Sequence, residues 1–519
     1  MRFGTRAAIF GLSVIAAIGI GGYGMASLVL DDDVPEAAEE FFDAWADGDL
    51  EKAARLTTDP DAALIALKAY KDRTHLTSVE LTARNVDGQH VPFTVTAHIA
   101  AQGAKATWAY DSALDVRANT SLGERVVWEP AIVHPELGDR EGYTVEVVPT
   151  APPVTVVDRH GEVLDPQEKS PLSRIVRQLQ DRYALKTGTP SLDVRLAPLS
   201  GESEDGATVT HLLKGRAATI RTTIDPAVQR SAEAAVADRP GASAIAIQPS
   251  TGEVLAVASP VTSEMNPALE GVEAPGSVFE IVTAAALLEG RAVTPSSPVA
   301  CPDTAVVAGT RFTNPKLSSA AEGGTFRDIF ASTCDTGFVG LADKLAPRAL
   351  SDTAKDVFGL GLDWQTGVTT ADGSVPELSG ADKAAAAIGR GEVRLNVLNL
   401  ASITATVKDG TFKQPLFVNA KVIGSTRAKA QRSLPGPITQ QLRDMMRLNA
   451  THGTGAQSMT GLSGTFGSMA GVAEQGPGQG NHVWFTAFRG DLAVAAVTGD
   501  NGQGVAAGDI TRAILDAHR

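Results

Sequence analysis

Ser277 and Glu280 stand three residues apart behind Pro275 and Gly276, the spacing at which two side chains share one face of a helix. A hydroxyl beside a carboxylate is a chemical pair. Burial raises a carboxylate's pKa towards neutrality, where it can take the proton of a serine attacking an acyl group. The plainer reading makes Ser277 the N-cap of a helix running through Ile281, Ala284, Ala285 and Leu288. The rest of the chain offers no rival chemistry: its nine histidines show no metal-ligand spacing, and no phosphate-loop pattern occurs. Gly476-Pro477-Gly478-Gln479-Gly480, ahead of His482, reads as a hairpin loop rather than a phosphate cradle. Neither a metal nor a cofactor is expected.

A chain of 519 residues, 43% hydrophobic and 20% charged, suits a folded protein of several domains. Its formal charge of −15, from 45 Lys and Arg against 60 Asp and Glu, argues against nucleic acid as a partner. Arg2 and Arg6 precede an uncharged apolar run from Ala7 to Leu30, which Asp31, Asp32 and Asp33 follow at once. A run of that length spans about 30 Å of hydrocarbon. The charge asymmetry orients it with the N-terminus cytoplasmic and the bulk of the chain outside the cell membrane. We read residues 1–33 as a single-pass anchor in preference to a cleaved signal, for which Met25-Ala26-Ser27 offers a mediocre site. Cys301 and Cys334, the two cysteines, either form one disulfide or sit as separate buried thiols.

The elements that must carry these residues follow in order. A helix from about Pro35 to Asp47 puts Phe41, Phe42 and Trp45 on one face, Gly48 ends it, and a second helix covers Leu50 to Leu56. Alternating runs at Val79–Asn85 and Val91–Ala100 flank a turn at Val86-Asp87-Gly88, and strands with Trp108, Tyr110 and Trp128 come next. Helices followed by antiparallel strands predict an α+β cone. Pro149 to Pro153 form a linker. Thr155 to Leu164 reads as strand, turn and strand, Arg230 to Ala237 as a helix, and Ala242 to Ser259 as a β-hairpin with Ser250-Thr251-Gly252 at its turn.

The run from Phe41 to Leu50, with Trp128-Glu129-Pro130 and His134-Pro135, resembles the NTF2-like domain that precedes some transpeptidases. Thr222-Thr223-Ile224-Asp225-Pro226, the hairpin from Ala242 to Ser259, and the strands His482–Phe488 and Leu492–Val497 resemble the class B penicillin-binding proteins. The resemblance implies a multidomain α+β chain: anchor at 1–33, NTF2-like cone at 34–149, β-rich pedestal at 150–240, and at 241–519 a transpeptidase domain, a β-lactamase-like α/β sandwich with an antiparallel sheet.

It also assigns site positions. Ser277 falls on the nucleophile, whereas Glu280 stands where the family has a lysine. Thr333, Cys334 and Asp335 occupy the Ser/Thr-x-Asn motif, with Asp335 replacing an amide that both donates and accepts by a group that, ionised, only accepts. Leu462, Ser463, Gly464 and Thr465 are read as the Lys-Thr/Ser-Gly strand, its cation lost. Ile388-Gly389-Arg390-Gly391-Glu392 resembles an Ile-Gly-Gln-Gly-Glu signature, with Arg390 a candidate substrate-binding residue. With every carboxylate ionised, the pocket is about four charge units more negative than the family pattern. One like-charge contact at about 4 Å costs on the order of 4 kcal/mol at an effective dielectric near 20. That weakens or abolishes binding of a stem peptide ending in D-alanine, or of a β-lactam. Arg390 or Arg394 is expected to pair with Glu280 or Asp335.

Two functions compete. A pseudo-transpeptidase of peptidoglycan synthesis would act as scaffold, regulator or precursor binder among cell-wall synthesis proteins. An active D,D-transpeptidase or carboxypeptidase would use Ser277 with Glu280 as base on an unusual acyl donor. The cone is expected to serve as a spacer, with a ligand site there as the remaining possibility.

Overall fold

The computed structural model describes residues 34–119, 123–164, 170–201, 207–259, 265–318, 323–424, 426–474, 480–499 and 505–517. The expected anchor at 1–33 and most of the glycine-rich run from 476 lie outside them. No helix of the described residues is long and apolar enough to cross a membrane. The chain divides into two compact units, one of residues 1–149 with 192–214, the other of 150–191 with 215–519. The stretch 150–240, expected as one pedestal, is therefore shared between them.

In the first unit, helix Glu36–Ala46 buries Phe41, Phe42 and Trp45. The chain then turns through Gly48 at φ +77°, a conformation that costs glycine little. Asp49 caps Leu50–Arg55 by accepting from the Lys52 N–H. Asp59 does the same for a third helix, Pro60–Arg73, by accepting from Ala62. That helix was not expected, although Asp-Pro is a helix-start signal. The strands Leu76–Ala83, His90–Ala101, Ala104–Asn119 and Gly123–Val127 form an antiparallel sheet in chain order. Alternate residues of His90–Ala101 are buried, so one sheet face closes on the helices. Trp128 sits just past the last of these strands.

The second unit is built on a five-stranded antiparallel sheet, ordered Val254–Ala258, Ser243–Ile247, Leu492–Gly499, His482–Arg489, Phe466–Ala473. Helices Val397–Asp409 and Gly436–His452 pack against this sheet, as do Pro226–Val236 and Ala506–Ala517. All five residues of Ser243–Ile247 are buried. With both faces covered, the central strands read as unbroken apolar runs. Val154–Val157 runs parallel to Ala218–Arg221, and the expected turn back onto it is short: the Asp158 N–H donates to Glu162 O at 2.8 Å and the Leu164 N–H to Val156 O at 2.9 Å. The turn after it is held by Asp158 Oδ1, which accepts from the amides of His160, Gly161 and Glu162, leaving a single bridge from Val157 to Val163.

Candidate active site

Three glycines let three backbone segments touch. Gly276 lies at φ +63°, and a Cβ there would meet the Val472 carbonyl oxygen at 2.2 Å. Gly389, at φ +66°, would meet the Gly276 carbonyl oxygen at 2.1 Å, while the Gly276 N–H donates to Gly389 O at 2.9 Å. A Cβ on Gly471 would meet Val278 N at 2.5 Å. These are distances no real side chain tolerates. The serine turn Gly276–Phe279, the 388–391 turn and the edge strand Phe466–Ala473 are thereby drawn together around Ser277.

Ser277 is fully buried in that turn, which leads into helix Glu280–Glu289. Its hydroxyl caps neither element. It donates instead to Asp335 Oδ1 at 2.7 Å. Asp335 opens the helix Asp335–Leu341, and its other oxygen receives Arg390 Nη2 at 2.9 Å. Arg390 Nη1 in turn donates to Glu474 Oε2 at 2.8 Å. Of the two arginines expected to compensate the acidic pocket, Arg390 does so; Arg394 donates to the carbonyls of Gly391 and Val393.

Glu280 faces the same interior, wholly buried, and neither carboxyl oxygen meets a partner with hydrogen-bond geometry. It nevertheless lies close enough to Asp335 for each to displace the other's titration. Desolvation first, then the Asp335 charge, holds Glu280 well above the ordinary carboxylate range. Asp335 is pushed up to about 6, burial outweighing Arg390 and the Ser277 hydroxyl. Glu280 is thus displaced towards its neutral form, which moderates the expected excess of negative charge in the pocket.

Thr333 adopts φ +57° and shares a 2.8 Å hydrogen bond with the Thr454 hydroxyl, with a longer one of 3.4 Å to the Ala470 carbonyl. Neither contact reaches Ser277. Between Thr333 and Asp335, Cys334 forms a disulfide with Cys301, their Cα atoms 6.1 Å apart. The Thr336 amide and hydroxyl reinforce this link by donating to Asn314 Oδ1 and Pro302 O.

The third expected group is elsewhere. Leu462 is buried in an apolar cluster, Ser463 accepts from Arg489 through its carbonyl and hydroxyl, and Thr465 O accepts from Gly490. With Gly464 they precede the strand at the end beside the Arg489–Leu492 turn. Gly471, six residues beyond Thr465, is the strand residue packed on Ser277. At about 3.3 Å per residue that is on the order of 20 Å away. The triplet that reaches the serine turn is thus Met469-Ala470-Gly471, with no polar side chain. One signal marked it: a glycine inside an apolar strand, the mark of a close backbone approach. Glu474, just beyond, was also missed.

Among the described residues no group of three or more His, Cys, Asp or Glu could hold a metal ion. The first unit has a cavity of about 270 Å³ lined in part by His90, Ser112 and Asp115. Those polar groups are engaged within the protein, His90 with Asp115 at 2.8 Å and Ser112 with Ala131 O at 2.8 Å.

An antiparallel sheet lies between helical layers, with a serine at the head of a buried helix beside its edge strand. Residues 242–516 match the penicillin binding protein transpeptidase domain and residues 34–141 the NTF2-like N-terminal transpeptidase domain; the chain belongs to the penicillin-binding protein transpeptidase family. It is similar to the peptidoglycan D,D-transpeptidase PbpA of Mycolicibacterium smegmatis, 26% identical over 359 residues that cover 56% of this chain and 69% of that protein. PbpA of Mycobacterium tuberculosis is 25% identical over 408 residues, covering 64% and 80%. Among solved structures, the imipenem acyl-enzyme complex of M. tuberculosis penicillin-binding protein A aligns with a TM-score of 0.56 at 19% identity, over 71% of this chain and 98% of that one. PBP2 of Pseudomonas aeruginosa, in complex with WCK 5153, aligns with a TM-score of 0.56 at 20% identity, over 71% and 96%.

Proposed function

We propose that this chain is a membrane-anchored pseudo-transpeptidase of peptidoglycan synthesis, a scaffold, regulator or precursor binder that does not turn over its ligand. One observation carries the reading. The Ser277 hydroxyl is committed to Asp335, Asp335 is held by Arg390, and among the described residues no lysine amine bonds to either group. A serine pathway develops negative charge on the substrate oxygen, which donors must stabilise. Here the nearest ionised side chain to Ser277 is a carboxylate, and the strand beside it offers Met469 and Ala470 in place of a cation and a hydroxyl. Peptidoglycan is the context because the relatives named above are peptidoglycan D,D-transpeptidases. The NTF2-like domain serves as a spacer, its cavity residues His90, Asp115 and Ser112 being engaged within the domain.

A second reading is favoured by the same 2.7 Å contact. If the serine is acylated, its base is Asp335 and not Glu280, whose carboxyl makes no hydrogen bond to the Ser277 hydroxyl. Incubating the purified protein with a fluorescent β-lactam and with a neutral thioester across about pH 5 to 9, followed by peptide mass analysis, separates the two. No mass gain at Ser277 supports the non-catalytic reading. An adduct that disappears in Ser277→Ala overturns it.

A further inference from the structure

Arg390 joins two carboxylates that differ in kind. Asp335 is wholly enclosed, whereas the Glu474 side chain is 48% exposed, and the arginine between them is 18% exposed. The inner bond, from Nη2 to Asp335, is part of the buried frame around Ser277. The outer bond, from Nη1 to Glu474 at 2.8 Å, is within reach of solvent, whereas Nε is buried and meets no partner among the described residues.

A guanidinium recognises carboxylates by shape as well as charge, through planar N–H groups that match two oxygens. Glu474 occupies that outer face from a position immediately after the edge strand Phe466–Ala473. Being half exposed, it can leave for water at small cost. The geometry points to Arg390 as the receptor for the terminal carboxylate of a peptide, with Glu474 as the internal ligand that fills it when no peptide is bound. This rests on the reading that the chain binds precursors without acylation.

The exchange is neutral in charge: one carboxylate leaves as another arrives. Asp335 keeps its own N–H partner, so the Ser277 contact is undisturbed. A phosphate dianion fits less well, since it brings a second negative charge towards Asp335. The position lost from the family's strand cation is thus answered from a different element, the 388–391 turn.

Titration calorimetry on the full-length protein tests this with an N-acetylated tripeptide ending in D-alanyl-D-alanine and with its C-terminal amide. The free acid is expected to bind and the amide to bind more weakly. Glu474→Gln removes the internal competitor and is expected to tighten the acid about five- to tenfold, the effect of one part-exposed charge-assisted bond, without changing the amide. Arg390→Gln is expected to abolish the preference for the acid, and Arg390→Lys to restore part of it. Equal affinity for acid and amide, or no gain in Glu474→Gln, which alters a surface side chain and leaves the frame intact, overturns the proposal. A β-lactam adduct on Ser277 would sink the non-catalytic reading while leaving this comparison of acid and amide to stand or fall alone.

Discussion

Ser277 hands its hydroxyl hydrogen to Asp335 across 2.7 Å, and that one bond ties the serine turn to the head of the Asp335–Leu341 helix. In the family pattern an amide stands at position 335 and a lysine at 280. Here two carboxyl groups stand in those places, so among the described residues the serine's side-chain partner is an acceptor with its own cation.

Restoring the missing groups should restore reactivity if the backbone frame is intact. Glu280→Lys, Asp335→Asn and Met469→Lys together are expected to give a β-lactam adduct on Ser277 by mass spectrometry, whereas Leu462→Lys in place of Met469→Lys is expected to give none. Equal labelling of the two triple variants would contradict the assignment of the strand triplet.

Stability should fall as pH rises. Glu280 and Asp335 both have folded pKa values above their unfolded ones. Each contribution is complete below about pH 4 and is lost as pH rises through the folded value, which for Asp335 is about 6. The slope is about 1.4 kcal/mol per pH unit for each group while it differs in protonation between the two states. Urea unfolding at pH 5 and pH 7 should give the higher midpoint at pH 5, and Glu280→Gln should flatten the difference.

Removing the guanidinium should cost most where Asp335 is ionised. Arg390→Ala is expected to destabilise the protein by about 3 kcal/mol at pH 8, the scale for leaving a buried charge unpaired. At pH 5, where Asp335 is largely protonated, the cost should be clearly smaller. A pH-independent loss would mean that the arginine acts through packing alone.

Cleaving the Cys301–Cys334 bridge releases a loop closed over a sequence separation of 33 residues, which loop entropy values at about 3 to 4 kcal/mol. Cys301→Ala is therefore expected to unfold at a lower urea concentration than the parent, and reductant should lower the parent's midpoint towards it. Coincident midpoints with and without reductant would exclude the contribution.

The sequence exposed more of the frame than of the third site element. Ser277, Glu280, Asp335 and Arg390 were legible because each stands in a local signature with its glycines, and the structure brings all four together. The strand triplet was not, because Ser463-Gly464-Thr465 presents hydroxyls and a glycine whereas Met469-Ala470-Gly471 has lost every polar group that would mark it. Gly471 remained as the only clue. The pairing of Val154–Val157 with Ala218–Arg221 was hidden for a different reason: partners some sixty residues apart leave no local signal, and the Asp158 turn marks only the short antiparallel return at Val163. The alternating strand His90–Ala101 was read easily, since burial on one face alone writes its period into the chain.

Glu280 carries a carboxyl group that burial holds towards its neutral form, next to Asp335 and beside the serine on which the function of this protein turns. A protonated acid of that kind absorbs in the infrared apart from the ionised carboxylates that crowd an acidic surface. The protein therefore carries its own vibrational reporter, and any molecule that settles next to Ser277, or any shift in the charge of Asp335, can be watched through the carbonyl band of a single unlabelled side chain.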